Sequence, residues 1–222
     1  MRVLLTGACG CLGRAIGQAL LAAGHEVTGF DLPGRARERL ARRLGRGLTW
    51  RFGDVRSERD LAAAVAGHEA VIHAAAVLPP ASEADPERAH AVNVGGTETL
   101  LRVASASPLR PLVVYPSSIT VHGDQQHRPP PRRADEPTAP SDHYTHHKVA
   151  GEAALRGSGL PWSILRLGVS VEPRESRVSA AVLRMLFEIA ADARLEYVHP
   201  EDVGQAVAHL LVRPEAWHQV LL

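Results

Sequence analysis

Residues 4–13 read "LLTGACGCLG", an apolar run that leads into three glycines at three-residue intervals, Gly7, Gly10 and Gly13. The chain start, "MRVLLTG", is apolar and ends in glycine, which is typical of a buried parallel strand. The next stretch, "LGRAIGQALLAAG", carries apolar side chains at helical spacing. A glycine-rich turn between a strand and a helix brings backbone N–H groups and the positive helix end close to a phosphate. The stretch therefore predicts a dinucleotide-binding turn.

Each glycine has an expected task in such a turn. We expect Gly7 to permit the tight turn, Gly10 the close approach of a pyrophosphate, and Gly13 the close packing of helix on strand. Asp31 ends the next predicted strand, "HEVTGFD". A carboxylate there can accept both hydroxyls of an adenosine ribose and would repel a 2′-phosphate, so NAD is favoured over NADP. The alternative is a purely structural strand–helix turn.

An arginine-rich segment follows Asp31 and complicates the preference for NAD. Its members are Arg35, Arg37, Arg39, Arg42, Arg43 and Arg46. Arg35 or Arg37 could reach a 2′-phosphate if the loop curled back. We interpret the run as a solvated helix face, and NAD stays the expected cofactor.

The rest of the chain alternates between the two kinds of element. Strand-like segments are "LTWRFGDV", "EAVIHAAA", "PLVVYPSS", "WSILRL" and "HQVLL", with helical patterns between most of them. This alternation predicts an α/β fold with a parallel sheet covered by helices on both faces. A proline-rich and charged stretch, residues 122–142, predicts a long surface loop at a functional edge.

Composition sets the broad class. The chain has 222 residues, 45% hydrophobic and 22% charged, with a formal net charge of +1. These values are ordinary for a globular protein and give no reason to expect nucleic acid or a membrane as partner. No apolar run is long enough for a bilayer, and we expect no signal peptide. Two cysteines, Cys9 and Cys11, are too close for an ordinary disulfide and too few for a zinc cage. We expect a cytoplasmic protein.

Tyr144 and Lys148 are four residues apart on the predicted helix "SDHYTHHKVAGEAALRG" and so share one face. A neighbouring ammonium favours the phenolate, so we expect the pKa of Tyr144 to move toward neutrality and the residue to act as a general base. Ser118, at a strand end, could donate a hydrogen bond to a substrate oxygen. His143, His146 and His147 surround the tyrosine, but no cysteine or carboxylate cluster supports a metal site.

From residue 3 to residue 210 the sequence resembles the extended short-chain dehydrogenase/reductase family, of the NAD-dependent epimerase/dehydratase type. The matching motifs occur in the family's order: "TGACGCLG", "GDVRS" (53–57), "HAAA" (73–76), "NVGGT" (93–97), "PSSITVHG" (116–123), "YTHHK" (144–148) and "YVHPEDVGQAV" (197–207). The resemblance implies a Rossmann-type doubly wound parallel sheet with a small, reduced C-terminal substrate region. We expect residues 1–167 to bind NAD and residues 168–222 to form the substrate side.

The resemblance also implies the site residues. The catalytic set would be Ser118, Tyr144, Lys148 and Asn93, with Asn93 holding a proton-relay water or the local backbone. Asp54 would face the adenine amine and Val55 the adenine ring. The full set of implied cofactor contacts is Gly7, Gly10, Cys11, Leu12, Gly13, Asp31, Asp54, Val55, Ala74, Ala75, Ala76, Asn93, Tyr144, Lys148 and Gly168.

Two departures from the family pattern reduce the number of reactions that the chain is expected to catalyse. Ile119 and Thr120 stand where dehydratases carry an Asp–Glu pair, which argues against elimination of water. The segment after Gly168 is short and "LRLGVSVEP" has no asparagine, which argues against a nucleotide-sugar clamp. We therefore expect an NAD-dependent dehydrogenase/reductase that interconverts a small secondary alcohol, such as a sugar or sugar acid, with its carbonyl. The alternatives are an NAD-retaining epimerase and a non-catalytic dinucleotide-binding module.

The resemblance further suggests a homodimer built on two helices, residues 85–106 and 142–157. The expected contacts pair one set of side chains with another, namely Leu100, Leu101 and Val103 with Val149, Ala153 and Leu155.

Overall fold

A computed structural model of the protein describes residues 1–44, 47–170 and 194–222. The described strands are β1 (Arg2–Thr6), β2 (Glu26–Asp31), β3 (Leu48–Phe52), β4 (Ala70–His73), β5 (Leu112–Ser118), β6 (Trp162–Leu167), β7 (Val169–Ser170), β8 (Tyr197–Val198) and β9 (Gln219–Leu221). Among them, seven form one sheet in the order β3-β2-β1-β4-β5-β6-β9, and β7 pairs with β8 separately. Arg46 and residues 171–193 lie outside the described residues.

Helices connect most of these strands. The described α-helices are α1 (Cys11–Ala22), α2 (Arg35–Arg43), α3 (Glu58–Val65), α4 (Ala81–Ala84), α5 (Pro86–His90), α6 (Gly96–Ala106), α7 (His143–Gly157) and α8 (Pro200–Leu211). A π-helical turn, Ala91–Gly95, joins α5 to α6, and short 3₁₀ turns span Ile119–His122 and Pro214–Ala216. None of the helices in the described part of the chain has the length and apolar character to cross a bilayer.

Every pairing in the large sheet is parallel, and the strand order reverses beside β1, which pairs with both β2 and β4. The doubly wound parallel sheet predicted from the sequence is therefore confirmed. In such sheets ligands bind outside the carboxyl ends of the strands where the order reverses. The glycine turn after β1 lies at this point.

Strand β1 shows how both faces of the sheet are covered. Val3 and Leu5 pack with α1 and α8 in one buried cluster, whereas Leu4 packs with α3 and α6 in the other. Alternate side chains of one strand therefore enter different core layers, because successive residues of a strand point to opposite faces.

The helix predicted for residues 85–106 contains a π-helical turn, so it is two α-helices joined by a wider turn. Asp85 caps its start by accepting a hydrogen bond from Arg88 N. The π-helical turn contains Asn93, and such turns inside α-helices often occur at functional sites. The helix predicted over 142–157 begins one residue later, with Asp142 as N-cap and Thr145 completing a capping box.

Four of the six side chains predicted for a dimer contact lie inside the molecule. Leu100, Leu101, Val103 and Leu155 are all buried in the core of the chain. They fill the layer between the sheet and helices α6 and α7, so their assignment to an interface was wrong. Ala153 is exposed.

The described part of residues 168–222 adds to the central layers. Helix α8 lies so close to α1 that a Cβ atom on Gly204 would be 2.7 Å from the Ala15 carbonyl oxygen. Strand β9 extends the sheet by pairing with β6. The division into domains at residue 168 stays a prediction.

Candidate functional site

The glycine turn lies tightly under the chain that leaves β4. Gly7 has a positive φ of 69°, and a Cβ atom there would be 2.8 Å from backbone atoms of Ala74 and Ala75. A Cβ atom on Gly13 would be only 2.2 Å from the Gly7 carbonyl oxygen. Both positions therefore require glycine, which confirms the predicted tight turn and the close packing of helix on strand.

The N-terminus of α1 points out of this turn without a side-chain cap among the described residues. Its N-cap is Gly10, which has no side chain to accept a hydrogen bond, and its first turn holds no acidic residue. The first N–H groups, including those of Cys11 and Leu12, are thus available to an anion at the positive end of the helix. A crowded glycine turn followed by an uncapped helix start fits a pyrophosphate, as NAD would require.

Asp31, at the end of β2, makes hydrogen bonds and an ion pair that the sequence did not predict. Its Oδ2 accepts a hydrogen bond from Cys9 N at 2.8 Å, and its Oδ1 accepts one from Leu32 N at 2.8 Å. Arg37 Nε lies 2.9 Å from Oδ1 as an ion pair. Arg37 is exposed, as the interpretation of the run as a solvated helix face expects, and it also forms this ion pair.

Cys9 is buried against this carboxylate. Burial and the charge of Asp31 raise the pKa of the Cys9 thiol to about 11. The side chain is therefore a neutral thiol near pH 7 and packs as a small apolar group.

The residues predicted on the adenine side have partners of their own. Asp54 forms an ion pair with Arg56 at 2.5 Å, and the Arg56 hydrogen bonds hold the pKa of that carboxyl below its ordinary value. Val55 is buried, and a Cβ atom on Gly96 would be 2.8 Å from its Cγ2. Contact of these side chains with an adenine stays a prediction.

A buried histidine that the sequence reading missed connects β1, β4 and α6. Thr97 Oγ1 donates to Asn93 O at 2.6 Å, so it accepts from His73 Nε2 at 3.0 Å. His73 Nδ1 accepts from Thr6 Oγ1 at 2.9 Å, and that hydroxyl accepts from Ala75 N at 3.2 Å. Burial and the nearby Lys148 lower the pKa of His73 to about 3, consistent with a neutral ring. The imidazole therefore joins the end of β1, just before the glycine turn, to the start of α6, just after the π-helical turn.

Asn93 holds the backbone beside β4. Its Oδ1 accepts from Val77 N at 2.7 Å, and its Nδ2 donates to Val77 O at 2.9 Å. The same Nδ2 lies 3.4 Å from His147 Nδ1. Of the two roles expected for Asn93, the geometry favours anchoring of the local backbone.

Lys148 and Tyr144 come together as their spacing on α7 predicted. The buried Lys148 Nζ donates to Pro116 O at 2.7 Å and lies 5.6 Å from the ring centroid of Tyr144. Burial lowers the pKa of Lys148 to about 8, against the opposing effect of Glu152. Burial and Asp142 raise the pKa of Tyr144 to about 12, so the expected shift toward neutrality was wrong for this state. Burial disfavours the charged phenolate, and the nearby Asp142 carboxylate adds to that effect.

Ser118 stands at the carboxyl end of β5, opposite Leu167 of β6 in the sheet register. Its hydroxyl lies 2.7 Å from Thr120 Oγ1 and accepts from Thr120 N at 3.2 Å. Gly168 follows directly on the neighbouring strand, where a Cβ atom would be 2.6 Å from Glu196 O. The hydroxyl that was predicted to meet the substrate is thus engaged within its own turn.

A buried ion pair lies one helical turn beyond Lys148. Glu152 accepts from Arg166 Nε at 3.0 Å and from Arg166 Nη2 at 2.7 Å, and it also accepts from Ser117 Oγ at 2.7 Å. Burial raises the pKa of the Glu152 carboxyl, but these donors outweigh it, and the pKa lies below its ordinary value. The pair connects α7, β5 and β6, the elements that carry the predicted catalytic residues.

The same pair also holds the long loop after β5. Arg166 Nη1 donates to Ala134 O at 3.0 Å and lies 3.1 Å from His122 Nε2. His122 Nδ1 lies 3.1 Å from Pro137 O, so Nδ1 donates and Nε2 accepts. The proline-rich loop predicted over 122–142 is therefore held in place through hydrogen bonds to buried polar side chains.

The histidines around Tyr144 form no metal site in the part of the chain that the structure describes. His143 and His146 are exposed, whereas His147 is buried with its ring 5.4 Å from that of His90. Glu83, at the end of α4, accepts from the first N–H groups of α7, those of His143 and Tyr144, at 3.2 Å each. Helix α7 thus has a carboxylate at its positive end.

The chain matches the family model described as the NAD dependent epimerase/dehydratase family over residues 3–220. Its fold is similar to that of a short-chain dehydrogenase/reductase superfamily protein from Agrobacterium tumefaciens, solved with bound NAD. That likeness has a TM-score of 0.78 and 26% identity, and it covers 99% of this chain and 76% of the other.

Characterised relatives are similar over much of the chain. A 3-beta-hydroxysteroid dehydrogenase from Mycolicibacterium neoaurum is 28% identical over 84% of this chain and 51% of its own length. An L-arabinose 1-dehydrogenase (NAD(P)(+)) from Haloferax volcanii is 34% identical over 68% of this chain and 59% of its own length. The chain thus spans little more than half the length of these curated relatives.

Proposed function

Because the chain belongs to the NAD-dependent epimerase/dehydratase family, we propose that it is an NAD-dependent oxidoreductase that interconverts a secondary alcohol and a carbonyl. The proposal assigns proton transfer to Tyr144, charge stabilisation to Lys148, and hydrogen bonding of the substrate oxygen to Ser118. The observation that carries it is the buried Lys148 ammonium beside the Tyr144 ring, at the sheet edge where α1 starts uncapped.

The cofactor would be held by groups already described. The glycine turn and the N–H groups at the start of α1 would bind the pyrophosphate, and Asp31 would bind the adenosine ribose. Ala74, Ala75 and Ala76 follow β4 at the same edge and would line the cofactor with small side chains. Bound NAD supplies a hydride acceptor for an alcohol and, when reduced, a hydride donor for a carbonyl.

The protein's own groups supply the proton. With a pKa of about 12, Tyr144 is a neutral phenol at pH 7 and can donate its proton to an oxygen that gains negative charge. Lys148, as a cation near its ring, stabilises the phenolate that remains. In the oxidising direction the same phenolate takes the proton of the alcohol. Ser118 would exchange its bond with Thr120 for a bond to the substrate oxygen.

The test is Tyr144→Phe in the full chain. We expect the variant to bind NAD in calorimetry with wild-type affinity within a few-fold, and to lose about 10²–10⁴ in turnover, the usual worth of a general acid–base group. Turnover would be followed by the absorbance of reduced nicotinamide with a panel of sugars, sugar acids and other secondary alcohols. A variant that turns over as fast as wild type would overturn the assignment of Tyr144.

The same measurements separate the alternatives. Net formation of reduced cofactor supports the dehydrogenase. Cofactor that co-purifies and never accumulates in its reduced form, together with inversion of a sugar stereocentre, would instead indicate an epimerase. Binding of NAD with no turnover across the panel would indicate a non-catalytic module. A homodimer and a cytoplasmic location stay predictions from the sequence.

A further inference from the structure

His147 lies on α7 between Tyr144 and Lys148 in sequence, yet the proposed reaction gives it no task. The residue is buried, with only 5% of its surface exposed. Its ring packs edge-to-face against that of His90, with the centroids 5.4 Å apart and the planes at 77°. Burial of an imidazole costs free energy unless its nitrogens find hydrogen-bond partners, so the partners of this ring indicate what it does.

One partner of the ring is the side-chain amide of Asn93. Val77 N donates to Asn93 Oδ1 at 2.7 Å, which fixes the orientation of the amide, and Asn93 Nδ2 donates to Val77 O at 2.9 Å. The second hydrogen of Nδ2 is left for His147 Nδ1, which lies 3.4 Å away. Because an amide nitrogen only donates, Nδ1 has to accept, and an imidazole can accept there only when its single proton is on Nε2. His147 is therefore neutral in this arrangement.

We propose that His147 is a positioning residue for the reaction of this site: its neutral ring fixes the Asn93 amide, and thereby the backbone at Val77, and a protonated ring releases both. Val77 directly follows residues 74–76, the segment that would line the cofactor. The inference rests on the proposed function, because the backbone that His147 holds belongs to the same dinucleotide site. Release of this backbone would misplace the reactive end of the cofactor relative to Tyr144, and a small misplacement slows a reaction strongly.

The surroundings of the ring keep it neutral near pH 7. In the described part of the chain, its titratable neighbours are Glu83 of α4, His90 of α5, and His143 and His146 of α7. Burial lowers the pKa of His147, the three histidines lower it further, and Glu83 opposes them. A proton taken up in acid would go to Nδ1, and the N–H groups of His147 Nδ1 and Asn93 Nδ2 would then face each other as two donors. The hydrogen bond to Asn93 should therefore be lost only below about pH 6.5, the ordinary histidine value.

The experiment compares two substitutions of His147 in the full chain. In H147N the side-chain oxygen can take the place of Nδ1 and accept from Asn93, but it takes up no proton, whereas H147L fills the space without an acceptor. At pH 7.5 we expect H147L to lower kcat by about five- to ten-fold, the usual worth of one hydrogen bond, and to speed hydrogen exchange of the Val77 amide by a similar factor. H147N should keep both quantities within about three-fold of wild type. Turnover is followed with saturating NAD and the alcohol of the panel above that the wild type oxidises fastest.

The pH profile separates positioning by a neutral ring from a merely structural role. Between about pH 6.5 and pH 5 the wild type should lose kcat as His147 takes up its proton, and H147N should lose at least about two-fold less. The neighbouring His146 is exposed, so H146N is the matched control and should follow the wild-type profile. Thermal melts at each pH separate loss of turnover from loss of folding. If H147L does not fold, the profile of H147N decides alone.

Three results would overturn the inference alone. They are a folded H147L variant with wild-type kcat and Val77 exchange, an H147N variant that loses as much kcat as H147L at pH 7.5, and an acid profile that wild type and H147N share. A wild type that binds no NAD, or that turns over no alcohol of the panel, would overturn the proposed function and this inference with it.

Discussion

Lys148 is buried and Tyr144 half-buried at the carboxyl edge of the sheet, and removal from water changes their proton affinities in opposite directions. The pKa of Lys148 falls to about 8, and that of Tyr144 rises to about 12. Burial disfavours whichever form of a group is charged, so an ammonium loses its proton more easily and a phenol less easily. At pH 7 the pair is therefore a cation beside a neutral phenol.

The first prediction concerns the titration of Lys148. We expect its side-chain ¹³Cε signal to shift with a midpoint near pH 8, instead of about 10.4 as for a free lysine. Catalysis should decline as the pH rises through this midpoint, because the charge that stabilises the phenolate is lost. Assignment of the signal by Lys148→Arg provides the control. A midpoint above about 10 would contradict the burial of the ammonium.

The second prediction concerns the buried ion pair one turn beyond Lys148. Glu152→Gln removes the charge that neutralises Arg166, whose side chain is only 3% exposed. Breaking such a pair leaves a buried charge alone and costs about 3–5 kcal/mol in the free energy of unfolding, measured by urea denaturation. The double variant Glu152→Met with Arg166→Met should recover much of this loss, since no buried charge is then left unpaired. Arg156, which also pairs with Glu152 at 3.1 Å, is 43% exposed and can be hydrated instead. A single variant as stable as wild type would contradict the role assigned to the pair.

At the scale of elements, the glycine turn sets how closely α1 approaches β1. The third prediction compares two helical glycines. Gly13→Ala would place a Cβ atom 2.2 Å from Gly7 O, whereas a Cβ atom on Gly95 would have no neighbour within 4 Å. We expect Gly13→Ala to open the turn, lower the free energy of unfolding by more than about 2 kcal/mol, and weaken NAD binding.

Gly95→Ala is the matched control, with the same chemical change in open space. It should leave stability unchanged or raise it by up to about 1 kcal/mol, because alanine favours the helix. Thermal melts and calorimetry with NAD measure both variants. If both variants lost the same amount of stability and of NAD binding, the added methyl group would be harmful in any helix. Crowding in the glycine turn would then not be the cause.

The order of strands and helices could be predicted because it depends on patterns of neighbouring residues in the sequence. The glycine turn of residues 7–13 and the four-residue spacing of Tyr144 and Lys148 are features of neighbouring residues, and the structure confirms both. The ion pair of Asp31 with Arg37 and the bonds of His73 with Thr6 and Thr97 depend on how separate segments meet, which no local spacing encodes. The pKa of Tyr144 was predicted wrongly for a related reason. The direction of the pKa shift depends on how deeply the phenol is buried, and the spacing of residues on a helix does not reveal burial.

At the scale of the whole molecule, several histidines are held in conditions that disfavour their charged form. The pKa is lowered, mainly by burial, at His25, His68, His73, His122 and His147. They are distributed along the chain, from the turn before β2 to α7. The fold therefore contains neutral imidazoles at several places. We expect acid to protonate these rings and to destabilise the whole fold.

The last prediction is that the protein loses stability between pH 7 and pH 5. In the unfolded chain a histidine takes up a proton near pH 6.5, but in the folded chain His73 does so only at about pH 3. Below pH 6.5 the unfolded state thus binds more protons, and the free energy of unfolding falls as pH falls, by up to about 1.4 kcal/mol per pH unit for each such group. Urea denaturation across this range measures the slope. His73→Gln keeps a donor and an acceptor for Thr97 and Thr6, and it should reduce the slope by the share of nearly one proton. A flat profile in the wild type would contradict the neutral, buried state of these rings.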